Sequence, residues 1–244
     1  MAQNNQKKID HLVKEYRDFA YATSHDLGAS LRSIVGFSEI ILEKSEHKLD
    51  EETKKYLDII HKSGLQAQET VTSLLRMSRL NTRQWEIDRV DLNQTVEIVQ
   101  SELIRTIDRY NAQIECDILP SVAGDKTIVK TVFYELIENS IKFRREDIAP
   151  LIKISSHEEN DFHIVTLQDN SIGINPRDYE RILLPLKKGG FQEKDYGGSG
   201  MGLAIVCSIM RRLMGDIKFQ QPENGEGNIV QLYFIKDDRI CDYL

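Results

Sequence analysis

The chain has 244 residues, too many for one small domain and too few for three, so two domains are the natural expectation. Acidic residues outnumber basic ones by 39 to 32, and the resulting net charge of -7 argues against nucleic acid or an anionic membrane surface as the main partner. Hydrophobic residues, at 40%, suffice for packed cores, yet no apolar run approaches the ~18 residues needed to span a bilayer, so this segment is not expected to insert into a membrane.

From Ile9 to about Leu42 apolar residues recur at helical spacing: Ile9, Leu12, Tyr16 and Phe19, then Leu27, Leu31, Ile34, Phe37 and Ile41. After a polar break, Lys44 to Asp50, a second helical pattern runs from Glu51 to Leu80, with Tyr56, Ile60, Gly64, Ala67, Val71, Leu74 and Ser78 on one seam. Two long helices with a short connection predict an antiparallel hairpin. One hairpin leaves much of its apolar surface wet, and two packed as a four-helix bundle bury it, so a homodimer is expected through this segment.

The pattern changes between Asn81 and Val90, which sets the expected domains at 1–82 and 83–244. Asp91 can cap a helix with Leu92, Val96, Val99, Leu103 and Ile107 on its inner face. Gln113 to Ile118 alternates as a strand, and a helix is expected over about Lys126 to Phe143. Leu151 to Ser155 and Phe162 to Asp169 read as a hairpin turning around His157 to Asp161. Asn175 to Tyr196, with two prolines and paired glycines, reads as a mobile loop. Met201 to Met214 is a predicted helix, followed by strands at Asp216 to Gln220 and Asn228 to Ile235. The fold class is therefore α+β: a helical hairpin, then a layered α/β sandwich with helices on one face of a mixed sheet.

Three widely spaced cysteines, Cys116, Cys207 and Cys241, and a polar stretch from Met1 to Lys8 suit a reduced protein of the cytosol. Of six histidines only His25 sits in a motif. At 100° per residue it points away from the Leu27–Ile34 seam, towards solvent, beside the small Gly28 and Ala29. An imidazole is a competent nucleophile when its second nitrogen is held, and Asp26 is the adjacent acceptor and base. Glu135, Asn139 and Lys142 fall on one helix face, opposite Val129, Val132, Leu136, Ser140 and Phe143. A carboxylate, a carboxamide and an ammonium in line suit a Mg²⁺-polyphosphate. Asp169 ends a strand and shares a face with Val165 and Leu167, which would set its carboxylate at the mouth of the core, facing a base amine. Gly198, Gly200 and Gly202 precede the amphipathic helix Leu203, Val206, Ile209 and Leu213, where free N–H groups and the positive helix end favour phosphate.

In order and spacing these four stretches resemble the transmitter region of a sensor histidine kinase of two-component signalling, across nearly the whole chain. Phe19 to Leu27 resembles the phosphoacceptor box in its phytochrome-like variant, Glu135 to Phe143 the N box, and Asp169 to Ile174 the first glycine box. Gly198 to Val206 resembles the second. The resemblance implies a Bergerat-type ATP site, with Asp169 on adenine, Glu135 and Asn139 toward Mg²⁺, Lys142 near phosphate, and Gly173, Gly198, Gly200, Gly202 and Leu203 lining the nucleotide. It also implies autophosphorylation of His25 and transfer to an aspartate of a response-regulator receiver domain. The chain departs from the family pattern at Ser30, where proline is usual, and at Ala29, which implies weak phosphatase activity. It departs again at Ser171 in place of glycine, and at Leu183 and Leu186 in place of lid phenylalanines. Glu135 stands where kinases more often have Asn and where related ATPases keep a water-activating glutamate. These departures define two rival expectations: a degenerate transmitter acting as a phosphotransfer or scaffold protein, and an ATPase using Glu135.

Overall fold

A computed structural model describes residues 26–44, 49–189, 198–223 and 225–236, so His25 and Cys241 lie outside the described residues. The chain divides into two compact units, Met1–Arg83 with Gly197–Met201, and Gln84–Tyr196 with Gly202–Leu244. Among the described residues no helix is long and apolar enough to cross a membrane.

In the helical unit, α1 covers 26–44 and α2 is Glu51–Thr82. Asp50 starts α2 by accepting a hydrogen bond from the Thr53 N–H at 2.6 Å. The two helices meet where side chains are small. A Cβ on Gly64 would lie 2.7 Å from Val35 Cγ2, and Ser38 Oγ is 3.1 Å from His61 Nδ1. Val35 and Ser38 are buried there. The apolar stripe read from the sequence is a neighbouring one: Leu27, Ile34, Phe37 and Ile41 on α1 remain 50, 47, 67 and 40% exposed. Tyr56, Ile60 and Leu74 on α2 are likewise exposed, whereas Gly64 and Ser78 of the same stripe are buried.

The second unit begins with β1 (Asp88–Asp91), α3 (Leu92–Glu102) and α4 (Ile104–Tyr110). The single helix expected here is broken at Leu103, and Asn111 closes α4 in the left-handed region. Then follow β2 (Gln113–Cys116), β3 (Ser121–Gly124), α5 (Lys126–Lys142), β4 (Leu151–Glu159) and β5 (Phe162–Asp169). The chain closes with a 3₁₀ turn (Pro176–Asp178), α6 (Tyr179–Ile182), α7 (Gly202–Arg212), β6 (Asp216–Gln220) and β7 (Ile229–Ile235). A five-stranded sheet runs β2-β4-β5-β7-β6, with only the β2–β4 pair parallel. Its buried face carries Ile152, Ile154, Val165, Leu167, Val230, Leu232 and Phe234. Lys153, Gln168 and Lys218 project on the other face, which is why helices cover only one side.

Three local expectations are corrected, and one further element was not foreseen. β1 and β3 form a separate antiparallel ribbon that the short alternations at those positions did not reveal. β4 continues through Glu159, and the hairpin turns on Asn160 and Asp161 alone, because Asn160 takes φ 50° and lets Glu159 pair with Phe162. Part of the loop expected from Asn175 is helical, started by the Asn175 side chain accepting from the Arg177 N–H with Pro176 behind it. Phe143, expected on the buried face of α5, is only half-buried, while Glu135 is buried.

Candidate nucleotide site

The α/β unit gathers its polar groups around the end of β5. Alternation along β5 puts Asp169 on the same face as Val165 and Leu167, and it is buried. Among the described residues its carboxylate is held by three donors. Ser140 Oγ donates to Oδ2 at 2.8 Å, and the N–H groups of Ser171 and Asn228 donate to Oδ1 at 3.0 and 3.1 Å. Two lone pairs per carboxylate oxygen leave Oδ1 filled and one position open on Oδ2. That open acceptor suits an amine hydrogen and repels a carbonyl oxygen.

Two glycines shape the adjoining loops. Gly173 has φ 78°, and a Cβ there would approach Gly227 O to 3.1 Å. Gly227 has φ 81°, and a Cβ would overlap the Asp169 carbonyl at 1.9 Å, so the 225–228 turn can cross the end of β5 only with glycine at this position.

On α5, Asp125 caps the N-terminus through the Thr127 and Ile128 N–H groups, which sets the helix register. Glu135 and Asn139 then lie one turn apart and both approach Gly202, the first residue of α7. A Cβ on Gly202 would lie 2.5 Å from Glu135 Oε2 and 3.5 Å from Asn139 Nδ2. Lys142 is half-buried, with its ammonium 5.7 Å from the Phe143 ring centroid. Leu203 is half-buried at the start of α7.

Asp169, Gly173, Glu135, Asn139, Lys142, Gly202 and Leu203 thus share the α/β unit. Gly198 and Gly200, with φ 132° and 67°, fall with the helical unit. There the Ser199 N–H donates to Glu69 Oε1 at 3.1 Å, so one amide of the glycine run expected to be free for phosphate is engaged by a carboxylate. Asp26 is exposed on α1. Sequence reading missed two groups of this site. Ser140 was a polar residue on an otherwise apolar face, which is a usable signal. Asn228 reaches Asp169 across 59 positions, and nothing local marks it.

The α/β unit thus combines a buried carboxylate that keeps one open acceptor position with a helix-opening glycine packed against a carboxylate and a carboxamide. Two family models match the chain: "His Kinase A (phospho-acceptor) domain" over residues 6–83 and "Histidine kinase-, DNA gyrase B-, and HSP90-like ATPase" over 124–238. The chain belongs to the sensor histidine kinases, as a transmitter region. It is 30% identical over 222 residues to the phytochrome-like protein Cph1 of Synechocystis, covering 91% of this chain and 29% of that protein. Against the histidine protein kinase DivJ of Caulobacter vibrioides it is 26% identical, covering 86% of this chain and 35% of that one. It therefore spans only about a third of the length of these relatives. Its fold is similar to the Acinetobacter baumannii histidine kinase AdeS, with TM-score 0.61 and 21% identity over 86% of this chain and 97% of that one. It is also similar to full-length ShkA in complex with AMPPNP, with TM-score 0.62 and 18% identity over 89% of this chain and 46% of that one.

Proposed function

We propose that the chain is the core of an ATP-dependent protein histidine kinase of the cytoplasm, which autophosphorylates on His25 and passes the phosphoryl group to a receiver-domain aspartate. The observation that carries the reading is Asp169: a buried carboxylate with one open acceptor position, as an adenine amine requires. In the reaction a His25 ring nitrogen attacks the γ-phosphorus, the bond from that phosphorus to the β–γ bridging oxygen breaks, and ADP departs. The imidazole proton passes to Asp26 or solvent. Positioning and charge neutralisation supply most of the acceleration.

Glu135 and Asn139 fit a Mg²⁺ carried in on the triphosphate. They offer a hard carboxylate and a carbonyl oxygen on one face of α5 against a glycine that leaves room. A bound Mg²⁺ would neutralise phosphate charge, and the nucleotide and water would supply the remaining oxygens. Lys142 adds positive charge for the phosphates.

Burial of Glu135 supports a second reading, an ATPase in which this carboxylate activates water. Incubation with γ-labelled ATP separates the readings. Acid-labile label on the protein is the kinase result, free phosphate alone is the ATPase result, and neither is the result for a scaffold. His25→Ala should abolish the label and retain nucleotide binding, whereas Asn139→Ala should reduce both. Ala29 supports weak phosphatase activity; rapid loss of phosphate from a phosphorylated regulator on adding the purified protein would contradict it.

A further inference from the structure

A cavity of about 280 Å³ opens on the α/β unit at the start of β5, roughly 20 Å along that strand from Asp169. Its walls lie on the sheet face that the helices leave bare. Ile164 pairs with Tyr233 and Tyr233 with Asp216, and Lys218 lies two residues further along β6, so alternation sends all four side chains to that face. Phe162 and its partner across the hairpin, Glu159, join them. Phe162 and Tyr233 meet edge to face with ring centroids 5.9 Å apart, and Ile164, next to both, is buried. The connection from α7 closes one end, where a Cβ on Gly215 would overlap the Tyr233 carbonyl.

The rim is charged. Among the described residues neither Glu159 nor Asp216 is paired with a lysine or arginine. Glu159 reaches His157 at 4.0 Å, and Asp216 Oδ1 accepts the neighbouring Ile217 N–H at 2.9 Å. Lys218 turns to the aromatic wall instead, its ammonium 4.4 Å from the Tyr233 ring centroid. The pocket thus already seats one cation on an aromatic face, and it carries two carboxylates that attract another. We infer that it binds a small organic cation, an ammonium or amidinium on a flat apolar body. The ligand takes the place of the Lys218 head on Tyr233 and directs its charge to Glu159 and Asp216. Volume sets the class, since the cavity is at the small end of those that hold small molecules. The site is separate from the nucleotide site, and the inference does not rest on the nucleotide reading.

The test is calorimetric titration of the full chain with benzamidine, an amidinium on a ring, and with benzoate, the same ring carrying the opposite charge. The wild type should bind benzamidine saturably and should not bind benzoate. Glu159 and Asp216 are exposed, so Glu159→Gln and Asp216→Asn leave the fold intact. Each should weaken benzamidine binding about 2- to 5-fold, the scale of a solvent-exposed ion pair. Lys218→Met should tighten it about 2- to 5-fold, because the Tyr233 face is vacated, an effect that a merely structural lysine would not have. Benzoate binding as well as benzamidine would overturn the inference, and so would carboxylate variants that bind benzamidine as the wild type does. Failure of both the wild type and Lys218→Met to bind benzamidine would overturn it outright.

Discussion

Asp169 is the residue on which the α/β unit turns. Its three donors come from α5, from its own loop and from the turn before β7, so it reports on the whole end of the sheet. Asp169→Asn keeps the shape but places an N–H₂ against either two N–H donors or a hydroxyl donor. Loss of one charge-assisted hydrogen bond costs ~1.5–3 kcal/mol, so nucleotide affinity should fall roughly tenfold or more in a binding titration. Gly202 makes a second residue-level case. The added Cβ of Gly202→Ala would press on Glu135 Oε2, and Glu135, being buried, has little room to withdraw. Nucleotide binding should suffer more than thermal stability, since what must shift is a polar side chain of the site and not the core. Cys207 is buried on α7, and burial first of all pushes its thiol above the ordinary range. Peptide mapping after brief alkylation at neutral pH should find Cys116, which is exposed, modified and Cys207 spared until denaturant is added.

At the scale of elements, caps and close approaches decide more than propensity. Asp125 binds the Thr127 and Ile128 N–H groups of α5 and also accepts from the Glu86 N–H at 3.1 Å, joining the helix start to the strand-ribbon region. Asp125→Ala should cost about 1–2 kcal/mol, read as a shift in the urea midpoint. Gly227→Ala should do worse, because its Cβ would collide with backbone at a left-handed φ of 81°, and neither can yield without parting β5 from β7. On α2 the Thr53 N–H holds the Asp50 carboxyl below its ordinary range. A lowered folded-state value means that this cap is fully effective above the ordinary aspartate range and fades as pH falls through the lowered value. Helix content of the hairpin, followed by circular dichroism, should therefore decline on acidification in Asp50 wild type and show a flatter response in Asp50→Asn.

At the scale of the molecule, the described residues of the helical unit carry an exposed apolar surface. Ile34, Phe37, Ile40 and Ile41 of α1 and Tyr56, Ile59 and Ile60 of α2 are all at least 40% exposed. Such surface is what a second copy would cover in the proposed four-helix bundle. Light scattering of the wild type should give twice the 28.1 kDa chain mass, and Phe37→Glu should shift the balance to monomer while the α/β unit keeps its nucleotide affinity. Trp85, the sole tryptophan, is buried under the Arg212 guanidinium, 4.1 Å from its ring, so its emission follows the folding of the α/β unit.

The sequence alone determined whatever depends on neighbours along the chain. Periodicity marked the second long helix, the described part of the first, and strands β5 to β7, the Asp91 cap was readable as a helix start, and four motifs in order declared the family. It could not show which of two adjacent stripes closes the hairpin, because that depends on Gly64 letting Val35 approach, a fact about two helices at once. It could not show the β1–β3 ribbon, whose strands are four residues each and owe their existence to pairing between Asp88 and Gly124 at one end and Asp91 and Ser121 at the other. Nor could it show that Ser140, Ser171 and Asn228 converge on Asp169, since those hydrogen bonds join positions 29, 2 and 59 residues away. Local chemistry nominates the carboxylate. Only the sheet, by carrying remote loops to one strand end, decides which of its lone pairs remains open to a ligand.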